Sequence, residues 1–190
     1  MGAKVPLQSP AGPILAPILT PVLRNAKTRV WLGGTLAAAA LAVPAQALAS
    51  DQSVYDAWVA DDAQYAKLGH DYTRGERHWE NSGFQKTGQV YKAVRRTAAL
   101  AHKTKVRMSH EDPETDLGRK GENYALRSLD LLRASILNRG RAIRAFMRFD
   151  GYNYIRLNRK ARGQASRSAN KESQARKTFK SAGVKVKPLN

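Results

Sequence analysis

The residues best suited to proton transfer or metal binding are four histidines, His70, His78, His102 and His110, standing in two pairs each eight positions apart. Helical metal pairs sit about three or four positions apart, so this spacing disfavours a shared local site. An acid–base centre would need His70 and His78 to converge with Asp71 or Glu76, and surface positions are the simpler reading. Paired carboxylates occur at Asp61-Asp62 and Glu111-Asp112. Adjacent acids on a helix point in different directions, so both pairs read as helix-start and surface charge. Cysteine is absent, which excludes disulfides, thiolate zinc sites, iron–sulfur clusters and cysteine nucleophiles. G-x-S-x-G, Walker-type, dinucleotide-binding, H-E-x-x-H and EF-hand patterns are missing too. The sequence therefore assigns no catalytic residue, no metal ligand and no cofactor, and leans away from an enzyme.

The chemistry it does offer is cationic. Across 190 residues, 33 Lys and Arg stand against 15 Asp and Glu, a formal charge of +18. Such an excess repels itself in isolation and is most simply half of an interaction with a polyanion or an anionic surface. Its distribution divides the chain into three parts. Residues 1–50 carry +4 with no acid, and residues 51–150 carry +4 from 18 basic and 14 acidic residues. Residues 151–190 hold 11 Lys or Arg against Glu172 alone, which leaves +10. The candidate contacts to an anionic partner are Arg133, Arg141, Arg144, Arg148, Arg156, Arg159, Lys160, Arg162, Arg167, Lys171, Arg176, Lys177 and Lys180. Phe149 and Tyr152, flanked by Arg148 and Arg156, are candidates for base stacking or lipid headgroup contact, because both partners favour aromatic and cationic groups together. Packing into the core is the alternative for this cluster.

These side chains must be held by helices. Ser53 to Leu68 reads as a first helix with Ser53 as N-cap and Gly69 as its stop, its face carrying Val54, Trp58 and Tyr65. Gly75 and Gly83 interrupt the next stretch, so His70 to Phe84 is expected to be loop with one helical turn near Trp79. A second helix is expected from about Lys86 to Met108, with Val90, Val94, Ala98 and Ala101 recurring at helical spacing. Asp112-Pro113-Glu114 is a strong start signal for a third. On its wheel Ala125, Leu129, Leu132, Ile136, Ile143, Met147 and Tyr154 form an apolar stripe, with Arg133, Arg141, Arg144 and Arg148 about 100° away. Gly140 on that stripe either permits close approach or divides the helix, and Asp150-Gly151 is a second candidate end.

The expected fold is therefore all-α: a small helical bundle or elongated helical hairpin of about three helices, with a disordered N-terminal leader and a basic C-terminal tail. Residues 1–49 read as the leader, 50–157 as the helical domain and 158–190 as a flexible tail too poor in large apolar residues to offset its ordering entropy. Removing residues 158–190 is accordingly expected to spare cooperative melting.

The leader has its own pattern. Five prolines lie between Val5 and Leu23, followed by Arg24, Lys27 and Arg29, an uncharged run from Val30 to Val43, and the small-residue stretch from Pro44 to Ser50. This is the order of a bacterial-type export signal cleaved after Ala49, with an organellar transit peptide or a retained anchor as alternatives. An actual start at Val22 would restore ordinary signal proportions.

Leader and charge together point to an exported, non-enzymatic helical protein that binds a cell-envelope polymer or acidic lipid, located outside the cytoplasm. The alternatives are a nucleic-acid-contacting structural subunit of an organellar ribonucleoprotein or virion assembly, and a small secreted hydrolase or toxin. The amphipathic stripes also allow an oligomer or a larger assembly.

Overall fold

The computed structural model describes residues 45–188, with side chains from Ser50 onward; the expected leader pattern before Ala45 lies outside the described residues. These residues form five helices, α1 (Ala45–Val59), α2 (Asp62–Asn81), α3 (Gly88–Met108), α4 (Asp116–Met147) and α5 (Gly151–Ser181), and among them no strand occurs. Four of the five have at least 20 residues. The all-helical class is as expected, but the helices outnumber the expected three, and the differences have local causes.

The first helix does not run on to Leu68. It breaks at Ala60-Asp61, where Arg107 from α3 donates Nε to the Ala57 carbonyl at 2.9 Å and Nη2 to Asp61 Oδ2 at 2.7 Å. A guanidinium thus satisfies one of the orphan carbonyls at the end of α1 while pairing with the residue that precedes α2. Burial works against the Asp61 carboxylate, yet hydrogen bonds from Arg107 and Thr104 and the charge of Arg107 hold its pKa below the ordinary range.

The segment from His70 to Asn81, expected as loop, is helical and belongs to α2. Its glycines serve packing. A Cβ on Gly75 would lie 2.8 Å from the Val90 backbone nitrogen, so α2 and α3 cross closely only because this side chain is missing. Leu68, Tyr72 and Trp79 face inward along the same side. At the start of α4 the cap is Thr115 rather than Asp112: its hydroxyl accepts the Gly118 amide at 2.8 Å and donates to the buried carboxylate of Asp51. Gly140 does not divide α4; it lies in its interior, against Val94 of α3.

The largest departure concerns the basic tail. The expected boundary between residues 157 and 158 falls inside α5, which packs antiparallel along α4. Ala161, Ala165, Ser168, Ala175, Arg176 and Phe179 are buried, and beyond the helix so is Val184. Small residues let the two helices approach. Ser135 donates to the Ala161 carbonyl at 2.8 Å, and Ser128 and Ser168 each donate to the other's carbonyl at 3.1 and 2.8 Å.

Two apolar clusters fill the bundle. One joins Val54, Tyr55 and Trp58 of α1 with Met108, Ala125, Leu129, Ala175, Phe179 and Val184. The other joins Tyr72 and Trp79 with Val90, Val94, Ile136 and Ile143, and carries Phe84 and Phe146 at its edge. Helix α4 runs through both. Of its expected stripe, Ala125, Leu129, Ile136 and Ile143 are buried, whereas Met147 is exposed.

Candidate functional site: a basic face on the terminal hairpin

The turn between α4 and α5 sets the geometry of the candidate surface. After Met147 the Asp150 amide donates to the Ala145 carbonyl and the Phe149 amide to that of Phe146, both at 2.9 Å. This is a Schellman ending. Asp150 then caps α5 by accepting the Asn153 amide at 3.0 Å, and its pKa is lowered by the hydrogen bonds from Asn153. The hairpin so formed holds α5 with one face on α4 and the other in solvent.

On the solvent side Tyr152, the pair Ile155 and Arg156, the pair Arg159 and Lys160, Gly163 and Arg167 recur at helical spacing and line a shallow, open concavity. Gly163, with open space where a Cβ would be, leaves the hollow between the cations. Between Gly151 and Lys171 the helix has no acidic residue. Among the described residues, no carboxylate forms a salt bridge with Arg156, Arg159, Lys160 or Arg167. Arg167 donates Nε to the Gly163 carbonyl at 3.3 Å, which holds its stem along the helix. Arg162 is exposed on the same helix, and Lys177 and Lys180 are exposed nearer its end. Lys171 is half-buried, its ammonium 4.7 Å from the Tyr124 ring centroid.

The expected cations on α4 are also exposed: Arg133, Arg141, Arg144 and Arg148. Arg144 and Arg148 lie near Tyr91 of α3, where they offset part of the rise that burial imposes on its phenol. They stand near the turn end of the hairpin. Phe149 is 98% exposed, Tyr152 78% and Ile155 58%, so Phe149 and Tyr152 are not core residues. Tyr154 instead turns inward, its ring 5.3 Å from that of Phe146.

Arg176 is the exception among the expected contacts. It is buried, and its guanidinium reaches Asp62, Glu172, the Tyr55 hydroxyl and the Lys187 carbonyl at 3.1 to 3.4 Å while lying over Trp58. It ties α5 and the C-terminal segment to the α1–α2 corner and offers nothing outward. Burial raises the carboxyl pKa values of Asp62 and Glu172, and Arg176 opposes that rise.

The buried polar cluster that sequence reading passed over joins α2, α4 and α5. Arg139 donates Nη2 to Glu76 Oε1 at 2.6 Å and Nε to the Tyr72 hydroxyl at 2.7 Å, and Nη1 to Asn158 Oδ1. The Tyr72–Glu76 spacing of four was legible, but it sat in a stretch read as loop. Glu76 faces this cluster while His70 and His78 are exposed, so the three do not converge. All four histidines are exposed, and among the described residues no group of histidine and carboxylate side chains is arranged to hold a metal ion.

Fold and surface thus define an all-α bundle whose terminal hairpin presents cations outward. Comparison with protein-family models, curated proteins and solved structures finds no match to the chain. No helix among the described residues is long and apolar enough to cross a membrane.

Proposed function

We propose that the protein is an exported, non-enzymatic helical protein that binds an anionic component of the cell envelope, a polymer or an acidic lipid, through the outward face of α5. One observation carries this reading: Arg156, Arg159, Lys160 and Arg167 share a face of α5 and, among the described residues, form no salt bridge, the charge of Arg156 acting only on the capping Asp150. Four cations at helical spacing with no salt bridge among the described residues repel one another, and an anionic partner removes that repulsion. A rigid helix also presents them without the ordering cost that a disordered basic tail would incur. Export is supported by the order of charges and apolar residues before Ser50.

The test is binding of the full chain to long-chain polyphosphate over a range of salt concentrations. Exchanging Arg156, Arg159 and Lys160 for glutamate should weaken binding and lower the slope of log affinity against log salt by about 2 to 3. An unchanged slope would remove the face from the binding surface. Duplex DNA at matched salt is the second arm, and markedly tighter binding there would favour the nucleic-acid subunit reading instead.

A further inference from the structure

Among the described residues three helices end in the same backbone motif, and one of the three breaks its chemical rule. At the end of α2, Gly83 takes the left-handed position at φ 62°, with Phe84 N donating to the Trp79 carbonyl. At the end of α5, Gly183 takes it at φ 86°, with Val184 N donating to the Phe179 carbonyl. At the end of α4 the same position is occupied by Phe149, at φ 58°. Glycine is favoured there because a Cβ crowds the backbone, and a bulky side chain is an outlier.

Packing explains the other phenylalanine with positive φ. Phe84, at φ 66°, packs its ring edge-on against Trp79 and tilted against Phe146, with centroids 5.2 and 5.0 Å away, and its carbonyl accepts the Trp79 indole N–H at 2.8 Å. Phe149 has no such return, being 98% exposed. It combines an unfavourable backbone position with an unfavourable exposure, and the folded chain gains from neither. Strain retained without an internal benefit points to a task outside the fold.

Its surroundings say what that task is. Tyr152 and Ile155, three and six residues after Phe149, are likewise exposed on the first turns of α5, and the exposed Arg148, Arg156 and Arg159 stand beside them in the sequence. A bare phenyl ring and a branched aliphatic chain have no hydrogen bond to offer a soluble polyanion, and Ile155 cannot stack on a base. Both gain from entering hydrocarbon, Tyr152 suits the interface just above it, and the arginines suit phosphates at headgroup level. Building on the anionic-surface reading above, we infer that the α4–α5 turn is a wedge that inserts Phe149, with Tyr152 and Ile155, into the surface of an acidic bilayer.

The test uses the full chain and vesicles of phosphatidylglycerol with phosphatidylcholine. Phe149→Gly should raise the melting temperature, because glycine suits φ 58°, and should lower vesicle partitioning about tenfold while leaving polyphosphate binding intact. A lower melting temperature in that variant would make Phe149 a structural residue and overturn the inference. Phe149→Trp should show quenching by brominated acyl chains beyond that of the parent chain, and equal quenching would overturn insertion. If quenching is absent while polyphosphate binding persists, the wedge fails and the anion-binding reading stands. If polyphosphate binding is absent as well, both fail.

Discussion

Arg139 on α4 and Glu76 on α2 are joined by a 2.6 Å ion pair at a site where the guanidinium is 1% exposed. The pair lies 63 residues apart in sequence, and with Tyr72 and Asn158 it fastens three helices at one point. Burial raises the Glu76 carboxyl and the Tyr72 phenol, and the Arg139 charge opposes both shifts. A shift in register of any of the three helices would take at least one of these partners out of reach of Arg139.

Removing one partner of this pair leaves a charge buried without compensation. Arg139→Met is therefore expected to cost about 3–5 kcal/mol. Urea unfolding followed by helical circular dichroism measures it. The double variant with Glu76→Met as well should be more stable than Arg139→Met alone, and a further loss would show that the pair is not the source of the effect.

The tyrosines set the alkaline limit. Burial raises the phenols of Tyr55, Tyr72 and Tyr91, and pushes Tyr65 up to about 12 from 10.0. A group with a raised folded-state pKa contributes stability that is complete below its unfolded value and is lost as pH rises through the folded one. Stability should thus hold up to about pH 10 and fall through about pH 12. Denaturant melts across that range, read beside tyrosinate absorbance, follow both. Tyr65→Phe should make the fall shallower.

The basic C-terminal segment shows where sequence reading stops. The stripe on α4 was legible because Leu129, Ile136 and Ile143 announce burial by hydrophobicity, and α3 followed from the same kind of spacing, whereas the break between α1 and α2 did not. The inner face of α5 is Ala161, Ala165, Ser168 and Ala175. These residues carry little apolar area, and what buries them is close approach to Ser128 and Ser135, a pairing no single-segment pattern contains. Gly75 misled for the same reason: it reads as a breaker, yet it is the space into which Val90 fits. The outward cations of α5 were legible as charge, whereas their alignment required knowing that the segment is helical. The inward turn of Arg176 depended on Asp62 and Tyr55, more than a hundred residues earlier.

Deleting residues 158–190 should abolish cooperative melting, contrary to the expectation from composition. The deletion removes Ala175, Phe179, Ala182 and Val184 from the first core cluster and uncovers one side of α4. A single change probes the same contact. Phe179 is fully buried against Tyr55 and Trp58, with ring centroids 5.5 and 6.2 Å away, and Phe179→Ala should cost about 3–5 kcal/mol by urea unfolding. A deletion variant that melts as the parent does would show that α5 is dispensable.

Two glycines make opposite predictions. Gly75→Ala would bring a methyl group against the Val90 backbone, which cannot yield as a side-chain tip would. Overpacking of this kind costs about 1–3 kcal/mol. Gly163→Ala on the solvent face of α5 meets nothing within 4 Å, so it should stabilise by about 0.5–1 kcal/mol through helix propensity alone. Paired thermal melts decide both signs.

Asp51 ties α1 to the start of α4. Its carboxylate is fully buried, accepts the Thr115 hydroxyl and, at 3.4 Å, the Thr115 amide, and so supports the cap of α4. The neighbouring Gln52 accepts the Lys185 amide at 2.9 Å, tying the C-terminal segment to α1. A chain beginning at Ser50, the product expected from cleavage after Ala49, keeps all of these groups and should melt with the full chain. One beginning at Val54 loses them together. Asp51→Ala isolates the cap: it leaves the half-buried Thr115 hydroxyl without its carboxylate acceptor and should cost about 1 kcal/mol. Comparing the three melts separates the cap from the rest of the α1 start, and an Asp51→Ala variant as stable as its parent would exclude the carboxylate as the anchor.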